Sequence, residues 1–227
     1  MLKKITLSIT LAVTASSFSF AANNSELYIH DVVSIPESHY SIAEYYNSGE
    51  YDQDVATITQ KAIDFTANYL KAHPEIKKPA FVFDIDDTLL TSYKFESSHG
   101  FMLNINDINN SWENPTNLEL NKPLMPLYDY ARKHDIAIFI VTGRSENFRK
   151  VTEKDLSYYN LDEYKTLYLK PENAHFKSVV NYKAQVRKEI ENKGYDIILT
   201  VGDQDSDLKG GYAVKMVKLP NPMYFLP

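Results

Sequence analysis

Three apolar runs in this chain end in acids or a Thr-Gly-Arg step, and that recurrence constrains the fold more than any bulk property. Phe81-Val82-Phe83 leads into Asp84-Ile85-Asp86-Asp87-Thr88. Ile136-Ala137-Ile138-Phe139-Ile140-Val141 leads into Thr142-Gly143-Arg144. Asp196-Ile197-Ile198-Leu199-Thr200-Val201 leads into Gly202-Asp203-Gln204-Asp205-Ser206-Asp207. Continuous runs rich in Val, Ile and Phe fit strands buried on both faces, as in parallel sheets. Open α/β sheets bind ligands beyond the carboxyl ends of their strands. The three ends are therefore expected to meet at one site. Carboxylates beside a core are too costly to leave unpaired, so a task is expected of them: holding a divalent cation and attacking phosphorus.

The rest of the chain is read around that sheet. With 227 residues, 44% of them apolar, it has material for one α/β domain with small additions. Residues 1–21 have the order of a signal peptide: basic Lys3 and Lys4, apolar Ile5 to Val13, and Ser19-Phe20-Ala21 as the cleavage site. A mature chain from residue 22 to 227, periplasmic or secreted, is the expectation. Losing those two lysines makes the formal net charge of −6 more negative still. Such a surface is poorly suited to nucleic acid or anionic lipid. The chain has no cysteine, so it lacks the thiol that lipid anchoring needs. No membrane anchor is expected, and a homo-oligomer is left open.

Between the signal and about residue 78 the pattern is helical. Ser41 to Tyr46 is one stretch; Asp54 to Leu70, with Val55, Ile58, Ala62, Phe65, Thr66 and Leu70 on one stripe, is another. This predicts a helical arm over about 23–78, packed on the core. Some fifty residues separate the first two strand ends, more than one crossover helix requires. The polar, Asn-rich stretch of about 91–122 is therefore read as a small cap insertion, with Phe101 and Trp112 inside it. Helices are expected over Pro126 to His134, Ser145 to Tyr159 and Val179 to Lys193, the last stopped by Gly194. Strands are expected over Thr166 to Lys170 and Val214 to Leu219.

Phosphomonoester hydrolysis needs a nucleophile, an acid for the leaving oxygen, and positive charge on the equatorial oxygens. Asp84 is the candidate nucleophile, attack by which splits the reaction into two easier steps. Asp86 is the candidate acid, and afterwards the base for the attacking water. A cation relieves the repulsion between them. Mg2+ suits oxygen donors; the candidate ligands are Asp84, the backbone carbonyl of Asp86 and Asp203, with Asp207 either on a bound water or behind the ligands as their partner. Thr142, Gly143 and Arg144 are the candidate phosphate-binding residues. Lys183 is the chosen cation for the phosphate charge, with Lys170 and Lys177 as geometric alternatives.

In this order the motifs resemble the haloacid dehalogenase (HAD) superfamily. They are closer still to its exported class B and C acid phosphatases and the plant vegetative storage proteins of subfamily IIIB. Asp84-Ile85-Asp86-Asp87-Thr88 is similar to that family's nucleophile motif and Val141-Thr142-Gly143-Arg144 to its second motif. Lys183 with Arg187 and Gly194-Tyr195 is similar to its lysine helix, and Gly202-Asp203-Gln204-Asp205-Ser206-Asp207-Leu208 to its last acidic motif. The ending Lys218-Leu219-Pro220-Asn221-Pro222-Met223-Tyr224 and the arm segment Tyr51-Asp52-Gln53-Asp54-Val55 also resemble it. The resemblance implies a Rossmann-like parallel sheet flanked by helices, a small cap, Mg2+ dependence and an aspartyl-phosphate on Asp84. It implies an exported acid phosphatase acting on small phosphomonoesters. Asp205 is a departure, since plant relatives tend to carry Trp there.

Rival readings are weaker. A calcium loop of the EF-hand type needs Gly at its sixth and Glu at its twelfth position. From Asp84 those positions hold Leu89 and Phe95; from Asp203 they hold Leu208 and Val214. The six histidines show no zinc-ligand spacing. Trp112, Phe101 and Tyr93 are read as cap packing in preference to an aromatic wall for the leaving group. A phosphotransferase and an inactive storage or binding relative remain the alternatives. Intact Asp84 argues against the inactive one.

Overall fold

The computed structural model describes residues 34–102, 105–172 and 178–226. The expected signal segment, the first residues of the arm and Lys177 lie outside them.

Five parallel strands form the central sheet: β1 (Pro79–Phe83), β4 (Ala137–Ser145), β5 (Thr166–Lys170), β6 (Asp196–Gly202) and β7 (Lys215–Lys218). Their order is β5-β4-β1-β6-β7. β1 is central because both of its faces are covered, and its side chains alternate between two cores. Phe81 and Phe83 point to one side; Ala80 and Val82 point to the other. Ile138 and Ile140 of β4 join the first core, Phe139 and Val141 the second. Each such fully buried large side chain contributes roughly 1.5–3 kcal/mol. This is the expected Rossmann-like α/β architecture.

The first core is closed by three helices: α2 (Glu50–Ala72), α5 (Met125–Lys133) and α6 (Arg149–Tyr158). They contribute Val55 and Ala62, Leu127 and Ala131, and Leu156 respectively. On the other face lies α7 (Val179–Asn192), with Tyr182, Val186 and Ile190 on its buried stripe. Gly194, at φ +83°, lets the chain reverse after α7 into β6.

The arm begins with α1 (Ile35–Asn47), opened by a reciprocal cap in which Ser34 Oγ accepts the Glu37 N–H and Glu37 accepts the Ser34 N–H. The cap comprises β2 (Leu90–Thr91), α3 (Tyr93–Ser98), α4 (Ile105–Glu113) and β3 (Glu119–Leu120). β2 and β3 pair antiparallel and fasten its two ends together. The rings of the arm and cap form one stack: Tyr51 on Tyr46 at 4.4 Å, and Tyr46 on Tyr93 at 4.1 Å between centroids. Among the described residues no helix is long and apolar enough to cross a membrane. A short helix, α8 (Asp205–Leu208), follows β6.

Candidate active site

The carboxyl ends of β1, β4 and β6 lie side by side, because β1 pairs with both of the others in parallel. The site is built on those ends. Asp84 follows β1 directly, and its N–H donates to the Val201 carbonyl at 3.0 Å, which ties it to β6. The chain then turns sharply. The N–H groups of Thr88 and Leu90 return to the Ile85 carbonyl, and Asp87 takes the left-handed conformation at φ +51°. Four donors fix that strained residue: Ser92 N, Ser92 Oγ, Thr91 Oγ1 and Tyr224 Oη.

Lys183 arrives from the second turn of α7. Its position within the Tyr182-Val186-Ile190 stripe sends it into the protein, and Nζ stands 2.6 Å from Asp84 Oδ1. It also pairs with Asp207 Oδ1. Asp207 Oδ2 accepts the Gln204 N–H at 2.8 Å. Gly202 permits this packing, since any side chain there would overlap the Asp207 carboxylate. Asp84, Asp203 and Asp207 each offer an oxygen within 4.8 Å of the others, and all three are buried.

Three buried carboxylates face one ammonium, and the electrostatics reflect the shortage of positive charge. Burial, then the Asp207 charge, pushes the Asp84 carboxyl well above the usual carboxylate range. Burial, with Asp207 and Asp87, pushes Asp203 up to about 7. Burial alone would lower the Lys183 ammonium, but Asp207 and Asp84 hold it above its ordinary value and protonated. A divalent cation that prefers oxygen fits this donor set. Asp84 Oδ1 and both Asp207 oxygens already have donors. Asp84 Oδ2 and Asp203 Oδ1, the latter with one long bond from Thr88 Oγ1 at 3.3 Å, are the better-placed ligand atoms.

Asp86 belongs to a different cluster. Arg144 Nη2 lies 2.7 Å from its Oδ1 and Nε 3.0 Å from its Oδ2, a two-pronged pair. Arg144 Nη1 bonds Asp155 at 2.8 Å and Thr152 at 3.3 Å, and the guanidinium carbon is 5.0 Å from the Trp112 ring centre. Arg144 is buried, whereas Asp86 keeps 23% of its side chain exposed and so remains open to a substrate. Most of the Arg144 donors are thus taken by Asp86, Asp155 and Thr152, a demand that competes with the phosphate contact expected from the sequence. Burial pushes Asp155 above the usual carboxylate range, while Arg144 opposes that shift.

Thr142 is fully buried within the carboxyl-terminal half of β4, and its Oγ1 accepts the Arg144 N–H at 3.1 Å, leaving its own proton to donate elsewhere. Gly143 is half-buried, close to Val179 at the start of α7. Asp205 is a surface residue paired with Lys209 at 2.6 Å. The three cap aromatics do not form one wall. Trp112 packs edge-on against Phe148, while Tyr93 and Phe101 join the arm's ring stack.

Sequence reasoning missed Asp155 and the work of Asn221 and Arg187. Asp155 had a signal: it lies between Thr152 and Leu156 on the buried stripe of α6, where an acid needs a partner. Arg187 lies on the α7 stripe and donates to the carbonyls of Asp207, Lys209 and Gly211, which latches the loop carrying Asp207.

A family model described as HAD superfamily, subfamily IIIB (acid phosphatase), matches residues 3–227. The chain is similar to the Stem 28 kDa glycoprotein of Glycine max, 31% identical over 188 residues, covering 81% of this chain and 72% of that protein. It is similar to Acid phosphatase 1 of Solanum lycopersicum, 34% identical over 153 residues, covering 66% of this chain and 60% of that one. It also matches Vegetative storage protein 2 of Arabidopsis thaliana, 28% identical over 231 residues, covering 100% of this chain and 85% of that one. The class C acid phosphatase from Bacillus anthracis superposes with a TM-score of 0.62 at 19% identity, over 84% of this chain and 86% of that structure, which shows a shared fold.

Proposed function

The chain belongs to the HAD superfamily, subfamily IIIB, the acid phosphatases, and from that premise we propose an exported, Mg2+-dependent hydrolase of small phosphomonoesters working through a phosphorylated Asp84. One observation carries the reading: a buried carboxylate at the end of the central strand, paired with a buried lysine and within cation reach of two further acids.

In this reading Asp84 Oδ1, beside the Lys183 ammonium, attacks phosphorus while Oδ2 faces the cation, and Lys183 neutralises phosphoryl charge. Asp84 and Asp203, with the Asp86 carbonyl, would hold Mg2+, which supplies charge to the phosphoryl oxygens. Thr142 donates its hydroxyl to a phosphoryl oxygen, and the Gly143 backbone lies beside it. Asp86, after taking a proton from solvent on its exposed side, gives it to the leaving alcohol, then takes one from the water that cleaves the aspartyl-phosphate. Arg144 acts by aiming Asp86 at the leaving oxygen.

The storage reading draws on the vegetative storage protein relative, but an intact Asp84–Lys183 pair has no purpose in a store of amino acids. A panel of aryl, alkyl and nucleoside monophosphates, assayed in EDTA and then in Mg2+, tests the proposal. Hydrolysis restored by Mg2+ is expected. Silence on every ester with Mg2+ present would refute hydrolysis, and full activity in the metal-free protein would refute the metal. A product enriched in phosphorylated added alcohol would move the reading to phosphotransfer.

A further inference from the structure

The segment after β7 has no regular structure, yet it is packed closely against the acids. Leu219 is fully buried and Met223 nearly so. Between them Asn221 is oriented by its own backbone: its Oδ1 accepts the N–H of Met223 at 2.9 Å and of Tyr224 at 3.4 Å. That leaves Nδ2 facing Asp203, whose Oδ2 it reaches at 2.7 Å. Gln204 Nε2 donates to the same oxygen at 2.6 Å, and Gln204 Oε1 accepts the Leu226 N–H at 3.0 Å. Lys218 bonds the Asp203 carbonyl. Tyr224 Oη donates to Asp87 Oδ2 at 2.7 Å. Tail residues therefore hold Asp203 and the turn after Asp84 at once.

Two amide donors on Asp203 Oδ2 fix the carboxylate plane and leave Oδ1, which has only the long Thr88 bond, as the more open oxygen. We propose that the C-terminal tail is a working part of the cation site, with Asn221 as the positioning residue that turns Asp203 Oδ1 towards the ion. The inference rests on the metal-dependent reading above. Partners that orient a ligand typically change metal affinity by about 10–100-fold. Coupling between two events is reciprocal, so the bound cation also holds the tail in place.

Mn2+ titration followed by electron paramagnetic resonance tests this without turnover. Asn221→Ala is expected to bind Mn2+ at least about tenfold more weakly than the parent. Its melting temperature in EDTA should move less than its melting temperature in Mn2+. A variant that binds Mn2+ within about twofold of the parent makes the tail a plug for the core and overturns the inference. Hydrogen exchange on the unaltered protein supplies an arm that needs no variant to fold. The amides of Met223, Tyr224 and Leu226 should exchange more slowly in saturating Mg2+ than in EDTA; equal rates overturn the coupling. If the parent binds no Mn2+, the metal reading itself falls and takes this inference with it. If the parent binds and Asn221→Ala binds equally well, only the inference falls.

Discussion

Replacing Lys183 by Met removes a charge while keeping most of the stem that packs within the α7 stripe. What is lost is the ammonium that stands 2.6 Å from Asp84 Oδ1 and also pairs with Asp207. Two buried carboxylates are then left facing each other with no counter-charge among their direct hydrogen-bond partners. Breaking a buried pair on one side costs about 3–5 kcal/mol when the remaining group stays charged. Here the cost divides by conditions. At low pH Asp84 takes a proton, since burial already raises its affinity for one; in Mg2+ the cation takes over the charge. The variant should therefore fold, with its largest drop in melting temperature at alkaline pH in EDTA. Turnover has no such escape, because the phosphoryl charge still lacks the fixed ammonium. The loss expected for one preorganised electrostatic contact is about 100–1,000-fold in kcat, or roughly 2.7–4 kcal/mol. Steady-state hydrolysis of an aryl phosphate measures it. Lys170→Ala, at the half-buried end of β5, should stay within about tenfold of the parent. A folded Lys183→Met that binds Mg2+ normally and keeps its kcat within tenfold would show that the phosphate charge is met elsewhere.

Three further outcomes follow from the same geometry. Asp84→Asn should abolish turnover on every phosphomonoester yet leave the metal-free protein at least as stable, because it removes a buried charge; circular-dichroism melts and a product assay check both, and residual near-normal turnover excludes a covalent intermediate. Asp203 and Glu96, each raised by burial to about 7, and Asp87, raised by burial to about 6, bind protons more tightly folded than unfolded. Their contribution is full below about pH 4 and is lost as pH rises through 6–7; metal-free melting temperatures should fall across that window, with the Asp203 share abolished by Mg2+, and a flat profile would contradict the shifts. The mature protein should begin near Ala22, by mass spectrometry of material recovered outside the cytoplasm, whereas an intact Met1 counts against export.

Much of this architecture was readable because burial leaves a periodic trace. The strands of β1, β4 and β6 are unbroken apolar runs, and their polar ends mark where the sheet opens to solvent. Lys183 and Arg187 interrupt an otherwise apolar helical stripe, which flags side chains that must find carboxylates or carbonyls inside. The site's less visible parts lack that trace. Arg144 follows Thr142 and Gly143, where a phosphate contact is the natural expectation; only the fold brings Asp86 and Asp155 to it from residues 58 and 11 positions away. Asn221 and Tyr224 lie in a segment with no secondary-structure period, and their partners, Asp203 and Asp87, are set by tertiary packing alone.

Asp84 and Asp86 are two residues apart and chemically identical, yet the proposed mechanism gives them opposite tasks. In sequence the first is nominated by its place at the strand end and by the motif resemblance; the partners of each support that assignment. Asp84 is buried against a lysine and two further acids, an environment that a cation completes and that fixes the carboxylate for attack. Asp86 is held in two prongs by an arginine whose own far side is anchored on Asp155, and it stays partly exposed towards arriving substrate. A guanidinium is always charged and cannot take the proton back. The Asp86 carboxylate is therefore aimed while only its backbone carbonyl is offered to the cation, which suits a group that must exchange a proton with a leaving alcohol and then with water. Asp155→Asn should separate the two tasks. With Arg144 less firmly anchored, alkyl phosphates, which need a proton on the leaving oxygen, should lose more kcat than activated aryl phosphates, while Mn2+ affinity at Asp84 and Asp203 stays unchanged. Equal losses on both ester classes would place Asp155 in the stability of α6 alone.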